Sequence, residues 1–486
     1  MIKLKKIIVP VAFAFSALAM GQGTFASSTY PQSYENQPSS AVKDVVSSEK
    51  LLTAKEIVDI NINSMATDPV LRNANWGFVV YDPKTKKVIS SYNESEPLVP
   101  ASTTKLLTTE TALNLLGEKF RWITQLEYSG TLNPDGILDG NLYLVGSGDP
   151  SLGTNKAGAQ SYSTIVADFL AAMNSKGIKK VNGNIIIQTA VFKLNKTQKL
   201  PENIVWLENG NYYLPAGTTL NINPANEKLI SKQSNPFSES KNYYYISPYI
   251  QQMVYAEKFE NGGVTTKLPD APAYLANALR TAMVKSKMPI TGKVMTKMND
   301  AEPEKREIIT SYLSPTLAEI LFYTNQHSDN ALAEATLRMV GFQKKGDQTL
   351  ESGRAVVLNH LTSEGFDTAG LNYLDGSGLS HYNKVTPIAQ VKFLTSLMNE
   401  KYFKSYFDSL PVAGQTGTLK RMFAGPGNGQ IFAKTGTLNK VKTLAGYMKT
   451  SSGRTLVFSL LINNYAGSVT QVKAKMEKIL EPALNL

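Results

Sequence analysis

Three short stretches decide the fold and the chemistry of this chain: Ser102-Thr-Thr-Lys105, Ser328-Asp329-Asn330 and Lys434-Thr435-Gly436-Thr437. Together they supply a hydroxyl nucleophile, a lysine that can deprotonate it, a polar bridge and a cationic strand end. Each stretch alone is weak evidence, because Ser-x-x-Lys also occurs at Ser47 to Lys50 and at Ser238 to Lys241. Their order and their settings indicate a serine enzyme whose general base is a lysine.

The residues around the first two stretches predict helices. A helix pattern runs from Ser102 to Leu116 and stops at Gly117. Residues three apart share a helix face, so Lys105 should lie beside the Ser102 hydroxyl, where the helix N-terminus offers free N–H groups to an oxyanion. A second helix is predicted from Ser328 to Gly341. The alternative is that both serines only cap helices.

The third stretch is predicted at the end of a strand. Gly436 would let a substrate backbone approach the strand edge, and the Thr435 and Thr437 hydroxyls could bind a carboxylate. Lys434 supplies positive charge that could lower the pKa of Lys105. The alternative is an ordinary strand-ending turn, and a near copy without the lysine, Gln415-Thr-Gly-Thr418, is interpreted as a loop. The strands predicted here are Gln430 to Ala433, Thr443 to Met448 and Leu456 to Ile462, followed by a helix from Val469 to Leu480.

The N-terminus predicts export from the cytoplasm. Residues 1–26 read as a signal peptide, with Lys3, Lys5 and Lys6 before an apolar run from Ile7 to Met20 and cleavage after Ala19 or Ala26. That run is shorter than the roughly 20 apolar residues of a membrane span, although an uncleaved anchor is the alternative. Residues 27–50, rich in Ser, Pro and Gln at their start, are interpreted as a flexible linker. We expect the protein in the periplasm or on the outside of the cell envelope, with at most peripheral membrane contact.

Composition excludes several kinds of site. The chain contains no cysteine, so disulfides and thiolate chemistry are impossible. Its three histidines, His327, His360 and His381, are scattered without metal-ligand spacing, so we expect no metal, no cofactor and no Ser-His-Asp triad. The net charge of +11 suits an anionic neighbourhood such as an envelope polymer, or simply a solvated surface. Basic residues are dispersed, so we expect no nucleic-acid partner.

The chain is predicted to be a mixed α/β protein whose catalytic domain is formed by both chain ends. Residues 51–124 and 304–486 would make this domain, beginning with a hairpin of Trp76 to Tyr81 and Val88 to Tyr92. Residues 125–303 would form a large inserted, mainly β module, with two nested subdomains. At this length a single core is improbable.

Taken jointly, the three stretches resemble the active-site set of penicillin-binding proteins and serine β-lactamases. The surrounding sequence resembles the class C low-molecular-mass penicillin-binding proteins, D-alanyl-D-alanine carboxypeptidases and endopeptidases of the penicillin-binding protein 4 type. The stretches that carry this resemblance are Trp76 to Leu107, Gly140 to Pro150, Asp375 to Ser380 and Leu410 to Gly414. That family carries extra domains between its first and second motifs, which agrees with the long separation here.

The resemblance implies a role for each motif residue. Ser102 would be acylated with Lys105 as its base, and Ser328 and Asn330 would relay protons and hold the substrate amide. Lys434, Thr435, Gly436 and Thr437 would bind the terminal carboxylate beside an oxyanion hole formed by the N–H groups of Ser102 and Thr437. Water would then hydrolyse the acyl-enzyme, a step that stalls with a β-lactam.

A second set of residues implied by the resemblance concerns the side chain of the substrate. Glu208 and Tyr213, which follow Trp206 at the family's spacing, would grip the free amino end of a diamino acid. The chain departs from the family pattern in having Glu208 for the usual aspartate and His381 where many members have arginine.

The sequence therefore predicts a serine D-alanyl-D-alanine carboxypeptidase with DD-endopeptidase activity on peptidoglycan stem peptides, inhibited covalently by β-lactams. The alternatives are a serine β-lactamase, which has no need of the large insert, and a non-catalytic peptidoglycan-binding protein, which has no need of Ser102, Lys105 and Lys434. The sequence leaves the oligomeric state open.

Overall fold

The structure is a computed structural model that describes residues 51–188, 271–297 and 304–486 and, between 189 and 270, the backbone of six short strands. The predicted signal peptide and linker lie outside the described residues. The helices are Ala54–Ala66, Lys105–Leu116, Tyr162–Ser175, Ala271–Lys285, Leu317–His327, Asn330–Lys345, Leu350–Ser363, Pro387–Ser396, Phe403–Asp408 and Val469–Leu480. In this part of the chain no helix combines the length and apolar character that crossing a bilayer requires.

Strands from both ends of the chain share one antiparallel sheet, here called the terminal sheet. Its order is Ile431–Leu438, Val441–Lys449, Thr455–Asn463, Asn75–Asp82 and Lys87–Tyr92. Ile431–Leu438 is an edge strand, so one side of its backbone has no neighbouring strand in the sheet. The third sequence stretch, Lys434 to Thr437, lies within this edge strand rather than after it, because the strand continues past the predicted end at Ala433 to Leu438.

Helices cover both faces of the terminal sheet. Ala54–Ala66 and Val469–Leu480 pack on one face, with Val58, Ile62, Val472 and Met476 buried against the sheet. The apolar stripe of Val469–Leu480 was predicted from its spacing, and the helix has the predicted bounds. Lys105–Leu116 and Pro387–Ser396 belong to the core on the other face, which also buries Ala445 and Tyr447. Because both faces are covered, nearly every residue of Val441–Lys449 and Thr455–Asn463 is buried.

The middle of the chain forms a second five-stranded sheet, here called the middle sheet. Its order is Val294–Lys297, Ile185–Gln188, Leu142–Gly146, Ile123–Tyr128 and Glu307–Leu313. The first three strands are parallel, which requires crossovers, and Tyr162–Ser175 and Ala271–Lys285 lie within them. Smaller strands are Thr131–Leu132, Ile137–Asp139, Lys180–Val181, Ile204–Leu207, Tyr212–Pro215, Lys232–Ser234, Tyr243–Ile246, Met253–Tyr255 and Thr266–Lys267. Because Glu307–Leu313 belongs to the middle sheet, we propose that the inserted module ends at Leu313 rather than at residue 303.

The predicted mixed α/β class and the first hairpin agree with the structure, but one predicted helix start was wrong. The helix expected from Ser328 to Gly341 begins at Asn330 and ends at Lys345. Asp329 is its N-cap, and its Oδ1 accepts the Leu332 N–H at 3.0 Å. Ser328 instead terminates the preceding helix in the left-handed conformation, with φ of 56°. The reversal between the two helices directs the Ser328 side chain away from a capping position.

Candidate active site

Ser102 lies on a tight turn at the start of a buried helix. The 3-10 turn Ala101–Thr104 leads directly into Lys105–Leu116. Lys105 is fully buried, and its Nζ lies 3.1 Å from the Ser102 Oγ. The spacing of three residues therefore produces the predicted serine-lysine contact.

The other contacts of Lys105 come from two distant segments. Its Nζ donates to Asn330 Oδ1 at 2.7 Å and to the Ser377 carbonyl oxygen at 2.6 Å. The first partner opens the helix Asn330–Lys345, and the second lies on the loop after Tyr373. These contacts fix the position of the amine next to the Ser102 hydroxyl.

Burial lowers the pKa of Lys105 to about 8, although the carboxylates of Glu334, Asp375 and Asp329 oppose the shift. A lysine with this pKa is partly a free amine near neutral pH, whereas an exposed lysine is almost wholly protonated. The site thus contains an amine that can accept a proton from a serine.

The second and third stretches meet at Lys434. Its fully buried Nζ donates to Ser328 Oγ at 2.9 Å and to the Thr435 carbonyl oxygen at 2.9 Å. Burial, followed by the positive charges of Lys105 and Lys442, lowers the pKa of Lys434 well below the usual value. The structure therefore brings all three stretches together around Ser102.

Gly436 is required by the approach of the edge strand to the turn that carries Ser102. A Cβ at this position would lie 2.1 Å from Thr443 Oγ1 on the neighbouring strand, 2.7 Å from the Pro100 carbonyl oxygen and 2.9 Å from the Ser102 backbone nitrogen. The sequence suggested that glycine leaves room for a substrate backbone, and the structure shows that it is already needed for packing against Thr443 and the Ser102 backbone. Thr437, the next residue, is exposed at the strand edge.

The loop Asp375–Ser380 closes the site around Lys105. Asp375 accepts the N–H groups of Gly378 at 2.6 Å and Ser380 at 2.7 Å, so its carboxylate holds the loop. Gly378 has φ of 82°, and a Cβ there would lie 1.9 Å from the Ala101 carbonyl oxygen. His381 follows this loop and is exposed.

Sequence reasoning missed three residues of this region. Ser377 contributes its carbonyl oxygen, and no local pattern marks that contact. Thr418 accepts a hydrogen bond from Thr435 Oγ1 at 2.7 Å, so the near copy Gln415-Thr-Gly-Thr418 lies beside the stretch that it resembles. Lys442 donates to Thr437 Oγ1 at 2.5 Å, a contact that depends on strand register.

The residues proposed for side-chain recognition are only partly described. Tyr213 belongs to strand Tyr212–Pro215, where it is paired with Trp206 of Ile204–Leu207. Glu208 lies outside the described residues.

Comparison with known proteins identifies the family of this chain. Residues 58–242 and 253–482 match the model of the D-Ala-D-Ala carboxypeptidase 3 (S13) family. The crystal structure of penicillin binding protein 4 (dacB) from Haemophilus influenzae superposes with a TM-score of 0.66 and 22% identity, covering 87% of this chain and 98% of that chain. This similarity confirms the predicted penicillin-binding protein fold.

Two curated relatives have the same extent. The D-alanyl-D-alanine carboxypeptidase DacB of Haemophilus influenzae is 26% identical over 462 residues, 88% of this chain and 93% of the relative. A D-alanyl-D-alanine carboxypeptidase of Actinomadura sp. is 28% identical over 453 residues, 84% of this chain and 81% of the relative. This chain belongs to the D-Ala-D-Ala carboxypeptidase 3 (S13) family and is a serine-type carboxypeptidase.

Proposed function

We propose that Ser102 is the nucleophile with which this carboxypeptidase cleaves the D-Ala-D-Ala bond of peptidoglycan stem peptides, and that the same site has DD-endopeptidase activity. The contact that carries the assignment is the 3.1 Å distance between Lys105 Nζ and Ser102 Oγ. It joins a hydroxyl to a buried amine whose pKa is lowered to about 8.

Acylation begins when neutral Lys105 takes the hydroxyl proton of Ser102 as the oxygen attacks the carbonyl carbon of the penultimate D-alanine. A neutral amine has two N–H groups and one lone pair. The N–H groups have ready acceptors in Asn330 Oδ1 and the Ser377 carbonyl, so the lone pair can face Ser102. The backbone N–H groups of Ser102 and Thr437 would stabilise the oxyanion of the tetrahedral intermediate.

Collapse of that intermediate breaks the peptide bond, and the departing amine needs a proton. The proton that Lys105 took from Ser102 would pass to it through Ser328, whose Oγ accepts a hydrogen bond from Lys434 Nζ at 2.9 Å, and Lys105 would return to its neutral form. D-Alanine leaves and the ester on Ser102 remains. Attack by water, assisted by Lys105, then releases the shortened peptide and restores the enzyme. A β-lactam would acylate Ser102 in the same way but resist hydrolysis.

Substrate binding would use the edge strand and a second pocket. Thr435, Gly436 and Thr437 would hold the terminal carboxylate beside Lys434, while Asn330 would bind the substrate amide. Glu208, Tyr213 and His381 would recognise the diamino acid of the stem peptide. We further propose that the protein is exported, acts in the periplasm or outside the cell envelope, and contacts the membrane at most peripherally.

Incubation with muropeptides and with a labelled penicillin tests this function against its alternatives. We expect release of D-alanine, cleavage of cross-linked dimers and a persistent penicilloyl adduct. Rapid penicillin turnover without D-alanine release would favour a β-lactamase, and the absence of both adduct and hydrolysis would favour a non-catalytic binding protein.

A further inference from the structure

Lys442 is a buried cation directly behind the exposed end of the edge strand. It lies opposite Thr437 in the antiparallel register, so the two side chains point to the same face of the terminal sheet. Only 4% of its surface is exposed, and its Nζ donates to Thr437 Oγ1 at 2.5 Å. Lys442 is also close to Ser102, because Gly436, the residue before Thr437, packs against the Ser102 backbone.

The charge of Lys442 has no counter-charge in the described part of the chain. No carboxylate there forms an ion pair with it, and its contact with Thr437 is to a neutral hydroxyl. Burial and the positive charge of Lys473 both act against its protonated form. Since a buried cation without an anionic partner is unfavourable, this arrangement fits an anion that arrives with a ligand.

The hydrogen bond also sets the direction of the Thr437 hydroxyl. Protonated Lys442 is a donor only, so the Thr437 oxygen accepts and its own proton remains available to a third group. Thr437 is exposed and is therefore accessible to that group. A cation behind a hydroxyl donor at a strand edge is suited to a carboxylate.

We propose that Lys442 is a specificity-determining residue that makes the site selective for peptides whose residue after the scissile bond carries a free α-carboxylate. This inference rests on the proposed function and assigns part of its selectivity to a residue outside the three motif stretches. Lys442 acts by orienting Thr437 and by supplying charge, and it takes no part in proton transfer at Ser102.

The test compares Nα-acetyl-L-lysyl-D-alanyl-D-alanine with its C-terminal carboxamide. In Lys442→Met, kcat/KM for the free acid should fall about tenfold to hundredfold, mainly through KM, which corresponds to ~1.4 to 2.8 kcal/mol at ~1.4 kcal/mol per tenfold. Hydrolysis of the carboxamide should change less than about threefold, because that substrate lacks the charge. Lys442→Arg should restore most of the preference for the acid.

Lys449→Met is the matched control, because Lys449 is an exposed lysine on the same strand. It should leave hydrolysis of both substrates unchanged.

Equal losses of kcat/KM for the acid and the carboxamide in Lys442→Met, or no loss for either, would overturn the proposal. If Lys442→Met does not fold, the comparison of wild-type enzyme with Lys442→Arg provides the test. Equal kcat/KM of the wild type for the two peptides would overturn the proposal. A strong preference for the acid that Lys442→Arg retains would support it. If instead the proposed function itself were wrong, the wild-type enzyme would cleave neither peptide.

Discussion

At the scale of single residues, the site contains two lysines in which burial weakens the usual preference for the charged state. Lys105 and Lys434 are both fully buried, and each has a lowered pKa. Their partners are neutral oxygens: Ser102 Oγ, Asn330 Oδ1 and the Ser377 carbonyl for the first, and Ser328 Oγ and the Thr435 carbonyl for the second. Neutral partners keep the lysine proton exchangeable, whereas an ion pair would stabilise the charged form.

Lys105→Arg should be as damaging as Lys105→Ala. A guanidinium stays protonated at every accessible pH and cannot act as a base. Stopped-flow acylation by a chromogenic β-lactam measures the effect directly. An Arg variant that retained acylation within about tenfold of wild type, a barrier difference of only ~1.4 kcal/mol, would refute the lysine-base mechanism.

The same lysine sets the expected pH dependence. Only the deprotonated amine can accept the serine proton, so kcat/KM for acylation should increase about tenfold per pH unit and level off above the lysine pKa of about 8. If the acylation rate did not change between pH ~6 and ~8, the fraction of Lys105 present as free amine would not control acylation.

At the scale of elements, the edge strand and the serine-bearing turn are held in contact by Gly436. Gly436→Ala should shift the strand away from Ser102, because the new Cβ meets two backbone atoms closer than 3.0 Å. Acylation should fall by about 100-fold, since a displacement of about 1 Å has effects of that size.

Gly146→Ala provides the control for that substitution. Gly146 also ends a strand, but a Cβ there meets nothing within 4 Å. Acylation and melting temperature should remain at wild-type values in this variant. If both glycine variants acylate normally, the close approach at Gly436 is not needed for the reaction.

Elements with strong local signals were predictable, and the contacts between elements were not. The helix Val469–Leu480 follows from its apolar spacing, and Lys105–Leu116 ends before Gly117 as predicted. Ser328 was misplaced because a left-handed helix end usually carries glycine, and a serine gives no such signal. Lys442 and Ser377 enter the site through strand register and loop packing, which a single sequence does not encode locally.

At the scale of the whole molecule, the middle of the chain contacts the second sequence stretch, Ser328-Asp329-Asn330. Lys156, which precedes the helix Tyr162–Ser175, forms an ion pair with Asp329 at 2.6 Å. Asp329 also caps the helix that begins with Asn330, so the contact can position both Asn330 and Ser328. This ion pair therefore links the middle of the chain to the segment that carries Ser328 and Asn330.

A double-mutant cycle on this pair measures that support. Lys156→Met should slow acylation several-fold, and Asp329→Asn, which retains the cap, should slow it similarly. The pair is partly shielded, so the coupling energy should be about 1 kcal/mol. Lys176→Met removes an exposed ion pair within the middle region and should have no effect. If the changes in activation free energy of the two single variants simply add in the double variant, the middle of the chain does not position Ser328 and Asn330.

Peptide-mapping mass spectrometry after penicillin treatment shows whether Ser102 carries the acyl group, the assignment on which the proposed mechanism depends. We expect a single penicilloyl adduct on Ser102 in the wild type and none in Ser102→Ala. This variant should fold normally, because it loses only one small hydroxyl, and should release no D-alanine, because the covalent step is lost. An adduct on Ser47, Ser238 or any other residue, or D-alanine release by Ser102→Ala at the wild-type rate, would contradict this assignment.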